Sequence, residues 1–176
     1  LQEILDELQK KMEEQFAEQF QRINEHFART FTRLFGGGTA KLQLQDEKNV
    51  LTCGIDIVAQ PPGKKLQLLS LLSGGERALT AIAILFAMLE IRPSPFCILD
   101  EIEAALDEAN VANFADYLKQ YSRDTQFIVI THRKGTMERC DALYGVAMEE
   151  KGVSRMVSVQ LRDLEEQLEE ESHDGE

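Results

Sequence analysis

The chain opens on one long apolar stripe. Leu1, Leu5, Leu8, Met12, Phe16, Phe20, Ile23, Phe27, Phe31 and Leu34 recur at steps of three and four, with no proline or glycine between them. That spacing lines one face of a helix. The first four positions fit the heptad seam of a coiled coil. The later four-residue steps drift towards a period of roughly 3.6 to 3.7. The stretch 1–34 therefore reads as a coiled-coil root that continues into a helix laid on a globular body. An ordinary amphipathic surface helix is the alternative, and the length of the stripe argues against it.

After Gly36–Gly38 the period falls to two. Lys41-Leu42-Gln43-Leu44-Gln45 alternates apolar and polar, Thr52 to Val58 is strand-like, and Asp46 to Asn49 reads as the turn of an antiparallel hairpin. Pro61 to Lys65 is a loop. Arg77 to Leu89 is an apolar helical run. Phe96-Cys97-Ile98-Leu99 and Gln126-Phe127-Ile128-Val129-Ile130 are short continuous apolar runs of the buried-strand type. Between them Glu108–Tyr121 reads as a helix. Leu143–Met148 and Arg155–Leu161, around Lys151-Gly152, predict a second hairpin. No internal repeat appears.

The junctions of these elements carry the chemistry. Ser73 with Glu76 three residues on forms a capping box, so a helix starts there. A cap does not explain Gly74 and Gly75 in the first turn, each costing about 1 kcal/mol relative to alanine. Glycine supplies bare backbone: the first N–H groups stand open to an anion, and the macrodipole favours negative charge there. A phosphate fits against Ser73 Oγ and the Gly74 and Gly75 amides; a plain structural cap is the competing reading. The first apolar strand ends in Asp100-Glu101, and ligands of open α/β sheets gather at such carboxyl ends. Asp100 can hold Mg²⁺ through its water shell, and Glu101 can polarise an attacking water. An acidic helix N-terminus is the bland alternative. The second strand ends in Thr131-His132, where a histidine can touch a phosphate or simply decorate a loop. Asp107 is an N-cap candidate for the helix that follows it.

These segments, in this order, resemble the structural-maintenance-of-chromosomes (SMC) family. Leu71-Leu72-Ser73-Gly74-Gly75-Glu76-Arg77-Ala78-Leu79-Thr80-Ala81 is similar to its signature motif. Cys97-Ile98-Leu99-Asp100-Glu101 with Ala104-Ala105-Leu106-Asp107-Glu108-Ala109-Asn110-Val111 resembles its Walker B motif and D-loop. Thr131-His132-Arg133-Lys134 resembles its switch-histidine segment. Gly36-Gly37-Gly38-Thr39-Ala40 and Ala59-Gln60-Pro61-Pro62-Gly63-Lys64-Lys65 are similar to the bacterial branch. The resemblance runs from about Phe31 to Leu161. Glu103 departs from it, standing where the family often has Asp.

One family part is missing. No G-x-x-x-x-G-K-[ST] loop occurs: Gly36-Gly37-Gly38-Thr39 lacks the lysine, and Gly63-Lys64-Lys65 lacks the upstream glycine and the hydroxyl residue. In the family that Walker A loop lies near the N-terminus, across a long coiled coil. The chain thus resembles the C-terminal half of an SMC head, and a start at Leu1 without methionine agrees with a fragment. The implied fold is α/β: the C-terminal lobe of an ABC-type ATPase head. It has a mostly parallel sheet with flanking helices plus antiparallel hairpins, preceded by the long root helix. The implied division is 1–34 root, 35–162 lobe and 163–176 acidic tail, expected to be disordered.

The resemblance also implies a mechanism. ATP and Mg²⁺ are held by the N-terminal half of the same head, with Asp100 on the metal and Glu101 and His132 catalytic. Ser73, Gly74, Gly75, Glu76 and Asp107 belong to the nucleotide-binding surface, the signature meeting the γ-phosphate on a second head. The chain alone is then inactive. Further implied partners are a kleisin, whose C-terminal winged-helix domain binds the base of this half, and DNA through the assembled complex.

Charge narrows the picture. Lys+Arg number 19 against 31 Asp+Glu, a formal net charge of −12, which argues against this piece gripping nucleic acid by itself. No secretory leader is read, and Ala78–Ile91 is too short to span a bilayer. Cys53, Cys97 and Cys140 form no C-x-x-C pair, which argues against zinc or a disulfide framework and fits reduced thiols in the cytoplasm; the resemblance implies a nucleoid-associated protein there. Two other classes compete. A transporter-type ABC subunit usually has Gln where Glu76 stands and no place for the 1–34 helix. A non-enzymatic kleisin-binding scaffold has no need of both Asp100 and Glu101.

Overall fold

The computed structural model describes residues 2–160. In chain order they form α1 (Gln2–Leu34), β1 (Thr39–Leu44), β2 (Ile55–Gln60), β3 (Gln67–Leu68), a 3-10 turn (Leu69–Leu71) and α2 (Gly74–Ile91). Then follow β4 (Phe96–Asp100), α3 (Glu108–Tyr121), β5 (Gln126–Ile130), α4 (Lys134–Met137), β6 (Ala142–Glu150) and β7 (Val153–Gln160). The class is α/β. Leu161 and the acidic tail 163–176 lie outside the described residues. Contacts divide the described residues into two compact units after Ile130.

In the first unit the α1 stripe is buried unevenly. Phe27, Phe31 and Leu34 have no exposed surface, whereas Leu5, Leu8 and Met12 are each more than half exposed. The body covers only the C-terminal half of the helix. Each large apolar side chain so covered contributes roughly 1.5–3 kcal/mol. The Asn24 carboxamide fixes the helix to the outer edge of β1: it accepts from Leu42 N at 2.8 Å and donates to Leu42 O at 3.2 Å. Those bonds close a strand edge that would otherwise invite pairing.

Helices α2 and α3 supply the rest of the core, with Leu79, Ile82, Phe86, Val111 and Phe114 all buried. Phe86 stacks on Tyr117, ring centroids 4.9 Å apart. A polar cluster ties the three helices together. Tyr117 OH donates to Glu90 Oε1 at 2.7 Å, and His26 Nδ1 meets Glu90 Oε2. Burial, reinforced by the bond to Glu90, pushes the Tyr117 hydroxyl well above the usual tyrosine range.

The first hairpin forms further along β2 than the alternation predicts. β1 pairs antiparallel with β2 from Thr39↔Gln60 to Leu44↔Ile55, and β2 pairs antiparallel with β3. Thr52 and Cys53 belong to the connection instead of the strand. The cause is local: the Asp46 carboxylate takes Lys48 N and Asn49 Nδ2, and Thr52 N and Cys53 N both donate to Asn49 O. The loop closes on itself before the strand can start.

Strands β4 and β5 pair in parallel, in register from Phe96↔Gln126 to Asp100↔Ile130. Among the described residues this pair is the parallel part of the fold; the other pairings are antiparallel. The apolar runs predict strands buried on both faces, and here the structure corrects the sequence. Leu99 is 2% exposed, and Cys97, Phe127 and Val129 pack against the core. On the opposite face Phe96, Ile98, Ile128 and Ile130 are 46–58% exposed. Helices cover one side of the pair and leave the other open. The alternating burial follows from the pleat.

In the second unit β6 and β7 form an antiparallel hairpin from Ala142↔Gln160 to Glu150↔Val153, with an irregularity between Ala147 and Glu150. Tyr144, Val146, Met148, Met156 and Val157 on it are each more than half exposed. No described helix is long and apolar enough to cross a membrane.

Candidate functional site: a glycine-rich helix end and a carboxylate-tipped strand

Ser73 caps α2 with extended backbone (φ −63, ψ 163), and the capping box forms in full. Glu76 N donates to Ser73 Oγ at 3.4 Å, while Ser73 N donates to Glu76 Oε2 at 3.0 Å and Ser73 Oγ to the same oxygen at 2.7 Å. Glu76 Oε1 is held by Lys64 Nζ at 2.8 Å. Partial burial works against the Glu76 charge. The hydrogen bonds from Lys64 and Ser73 outweigh it and hold the carboxyl below the usual glutamate range. Both Glu76 oxygens are therefore taken up within the chain, where they order the helix start.

The two glycines differ. A Cβ on Gly75 would stand 2.9 Å from Ala105 O, so glycine there lets the loop between β4 and α3 approach the α2 backbone. A Cβ on Gly74 would meet nothing within 4 Å. The chain's own packing gives no reason for glycine at 74; a ligand approaching the bare N–H groups would. Gly75→Ala is expected to destabilise the chain by about 1–3 kcal/mol through that backbone clash. Gly74→Ala is expected to be neutral or to gain up to about 1 kcal/mol. Urea denaturation of the two variants checks the order, and equal losses would contradict it.

Asp100 ends β4 and is exposed. Glu101 follows with φ 47, the described non-glycine residue in the left-handed region. Such a backbone costs about 1–3 kcal/mol and collects at functional sites. Two bonds hold it: Glu101 N donates to Ile130 O at 3.0 Å, extending the parallel ladder, and Ala104 N donates to Glu101 O at 3.0 Å. The loop then runs past the buried Glu103 (0% exposed) to Asp107. Asp107 caps α3 as the sequence predicts, taking Asn110 N at 2.9 Å and Asn110 Nδ2 at 3.0 Å.

Ser73, Glu76 and Lys64 thus form one cluster, and Gly75 lies against the loop that joins Glu101 to Asp107. Asp100 and Glu101 sit at the end of the parallel pair beside Ile130. His132 belongs to the second unit, exposed between the half-buried Thr131 and Arg133 in the stretch joining β5 to α4. Sequence reasoning placed Lys64 only within a family-like run. Its ion pair joins the loop after β2 to the first turn of α2 and leaves no periodic signal. The burial of Glu103 was equally invisible, because a charged loop residue reads as exposed.

The donors suit a magnesium nucleotide. Mg²⁺ takes one or two carboxylates and completes its shell with water and phosphate oxygens. The exposed carboxylate of Asp100 has the chemistry of such a ligand, and among the described residues no group of three or more His, Cys, Asp or Glu forms a self-sufficient metal cage.

Comparison with known proteins gives a consistent answer. "Chromosome partition protein Smc" of Bacillus subtilis (strain 168) is 60% identical over 164 residues, 93% of this chain. The chain spans 14% of that relative's length. The fold matches a crystal structure from Pyrococcus furiosus described as the Smc head domain with an extended coiled coil bound to the C-terminal domain of ScpA. The TM-score is 0.86 at 40% identity, over 96% of this chain and 42% of that one. A second solved chain is described under ATP-driven dimerization and DNA-stimulated activation of SMC ATPases. It matches with TM-score 0.79 at 41% identity, over 90% of this chain and 96% of that one. A family model described as the RecF/RecN/SMC N terminal domain matches residues 3–155, and the chain belongs to that family.

Proposed function

We propose that this chain is the C-terminal half of an SMC ATPase head, acting in chromosome condensation and segregation. The observation that carries the reading is a glycine-containing helix end and a carboxylate-tipped parallel strand in a sequence without a G-x-x-x-x-G-K-[ST] motif. The open apolar face of Phe96, Ile98, Ile128 and Ile130 supports it, since a two-stranded parallel sheet with one bare face is short of a covering layer. So does extent: the chain covers 42% of one solved head chain and nearly all of another solved SMC ATPase chain.

In this reading the complementary N-terminal half brings the Walker A loop and ATP. Asp100 holds Mg²⁺ through its water shell, and the ion, when bound, neutralises charge on the phosphate oxygens. Glu101 accepts a proton from the attacking water, its strained backbone fixing the carboxylate at the strand end. The likeness to the family's switch-histidine segment assigns His132 to the terminal phosphate of the nucleotide on the same head. Ser73 Oγ and the Gly74 and Gly75 N–H groups meet the terminal phosphate of ATP on a second head, with Glu76 ordering that helix end and Asp107 the adjacent loop. A helix end complementary to the terminal phosphate binds ATP-loaded heads more tightly than ADP-loaded ones, so hydrolysis lets the heads part.

The same likeness supports the partners: a kleisin C-terminal winged-helix domain on this half, and DNA through the assembled, nucleoid-associated complex. The division into a 1–34 root, a 35–162 lobe and a 163–176 tail goes with it.

Co-expression tests the assembly. The complementary half is expected to co-purify with this chain at one to one, with slowed amide exchange in β4 and β5 as their open face is covered. Two halves that purify separately, with β4 and β5 unprotected, would sink the reading.

A further inference from the structure

Glu76 poses an electrostatic problem for the proposed site. Its carboxylate stands in the first turn of α2, at the end that Ser73, Gly74 and Gly75 offer to a phosphate. One anion there opposes another. The carboxylate also holds the Ser73 proton, because Ser73 Oγ donates to Glu76 Oε2 at 2.7 Å. A hydroxyl has one proton and cannot donate to the carboxylate and a phosphate together. Protonation does not remove the problem, since the carboxyl is held below its ordinary range.

The structure does contain a compensating charge. Lys64, in the loop between β2 and β3, places Nζ 2.8 Å from Glu76 Oε1, the oxygen that Ser73 does not use. The Glu76 side chain is 15% exposed and the Lys64 side chain 51%, so the carboxylate is sheltered and the lysine reaches it from solvent. We propose that Lys64 is a positioning residue for the signature end. By pairing with Glu76 it cancels the carboxylate's field and weakens its claim on the Ser73 proton, so the hydroxyl can turn to the terminal phosphate of nucleotide on a second head. The inference rests on the trans-phosphate reading above and adds a residue from outside the motif. A long lysine stem from a separate loop suits the task, because its point charge can follow the carboxylate as Ser73 rotates.

A charge-swap cycle tests it. Heads assembled from this chain and its complementary half are titrated by sedimentation velocity in a non-hydrolysable ATP analogue with Mg²⁺. Lys64→Gln is expected to weaken association about ten-fold, the size of one uncompensated unit charge near a surface site. The loss is expected to shrink at high salt. Lys64→Arg keeps the charge and is expected to stay within about two-fold of the parent. Lys64→Gln combined with Glu76→Gln is expected to associate several-fold more tightly than Lys64→Gln alone, because the bare charge is gone and the amide oxygen still accepts from Ser73 N. No loss with Lys64→Gln, or a double variant as weak as the single one, would overturn the proposal: Lys64 would then be idle, or would act on the loop or ligand directly. If the unsubstituted heads do not associate in the analogue, or if Ser73→Arg heads still do, the trans-phosphate reading itself has failed and the Lys64 role falls with it.

Discussion

Glu101→Gln in the assembled head is expected to slow ATP hydrolysis by about 10²- to 10⁴-fold, the range that a positioned general base contributes. Nucleotide binding is expected to persist, and engaged heads to accumulate. The amide has the carboxylate's shape but cannot take the proton of an attacking water. The backbone around residue 101 is held by bonds the change does not touch, to Ile130 O and from Ala104 N. The left-handed turn therefore survives the substitution. Steady-state phosphate release reads the first effect and sedimentation the second. Hydrolysis at the parent rate would remove Glu101 from the role of base, and slow hydrolysis without accumulated dimer would break the link between turnover and release.

Ser73→Arg is expected to abolish ATP-driven association of heads, a loss of about a hundred-fold or more, while the chain still folds. The substitution removes a cap, which costs about 0.5–2 kcal/mol. It leaves the core of Phe27, Phe31, Phe86 and Phe114 untouched. Its effect at the surface is larger. A long side chain then rises beside Gly74, where nothing now stands within 4 Å of the Cβ position, and fills the space a phosphate needs. Thermal melting is expected to show a modest shift and sedimentation a monomeric head. Ser73→Arg heads that dimerise with ATP would show that this helix end faces no second nucleotide.

Much of this arrangement was legible in the residues. The three- and four-residue steps from Leu5 to Leu34 give α1, the capping box gives the start of α2, and the apolar run ending in Asp100 gives β4, because each rests on local periodicity or local hydrogen bonding. What depends on distant neighbours was not legible. The drift in period along the stripe tells the root from the part laid on the body, but not which residue the cover starts at or what covers Phe27 and Phe31. A continuous apolar run reads as buried on both faces, so the open side of Ile98 and Ile128 shows only when the strand is placed against α2 and α3. β3, two residues long, is too short to alternate. The contacts that shape the site also join separate elements: Lys64 in a loop to Glu76 in the first turn of α2, and Gly75 against Ala105. The paired glycines looked equivalent in sequence, and the structure gives them different duties, one to packing and one to an open face.

Nucleotide binding tests the central claim most directly. ATP with Mg²⁺ is titrated calorimetrically into this chain alone and into the chain assembled with its complementary half. The account predicts no measurable binding by the chain alone, saturable binding of one ATP per assembled head, and DNA-sensitive hydrolysis by that head. Tight ATP binding by the chain alone, or none by the assembled head, would contradict it.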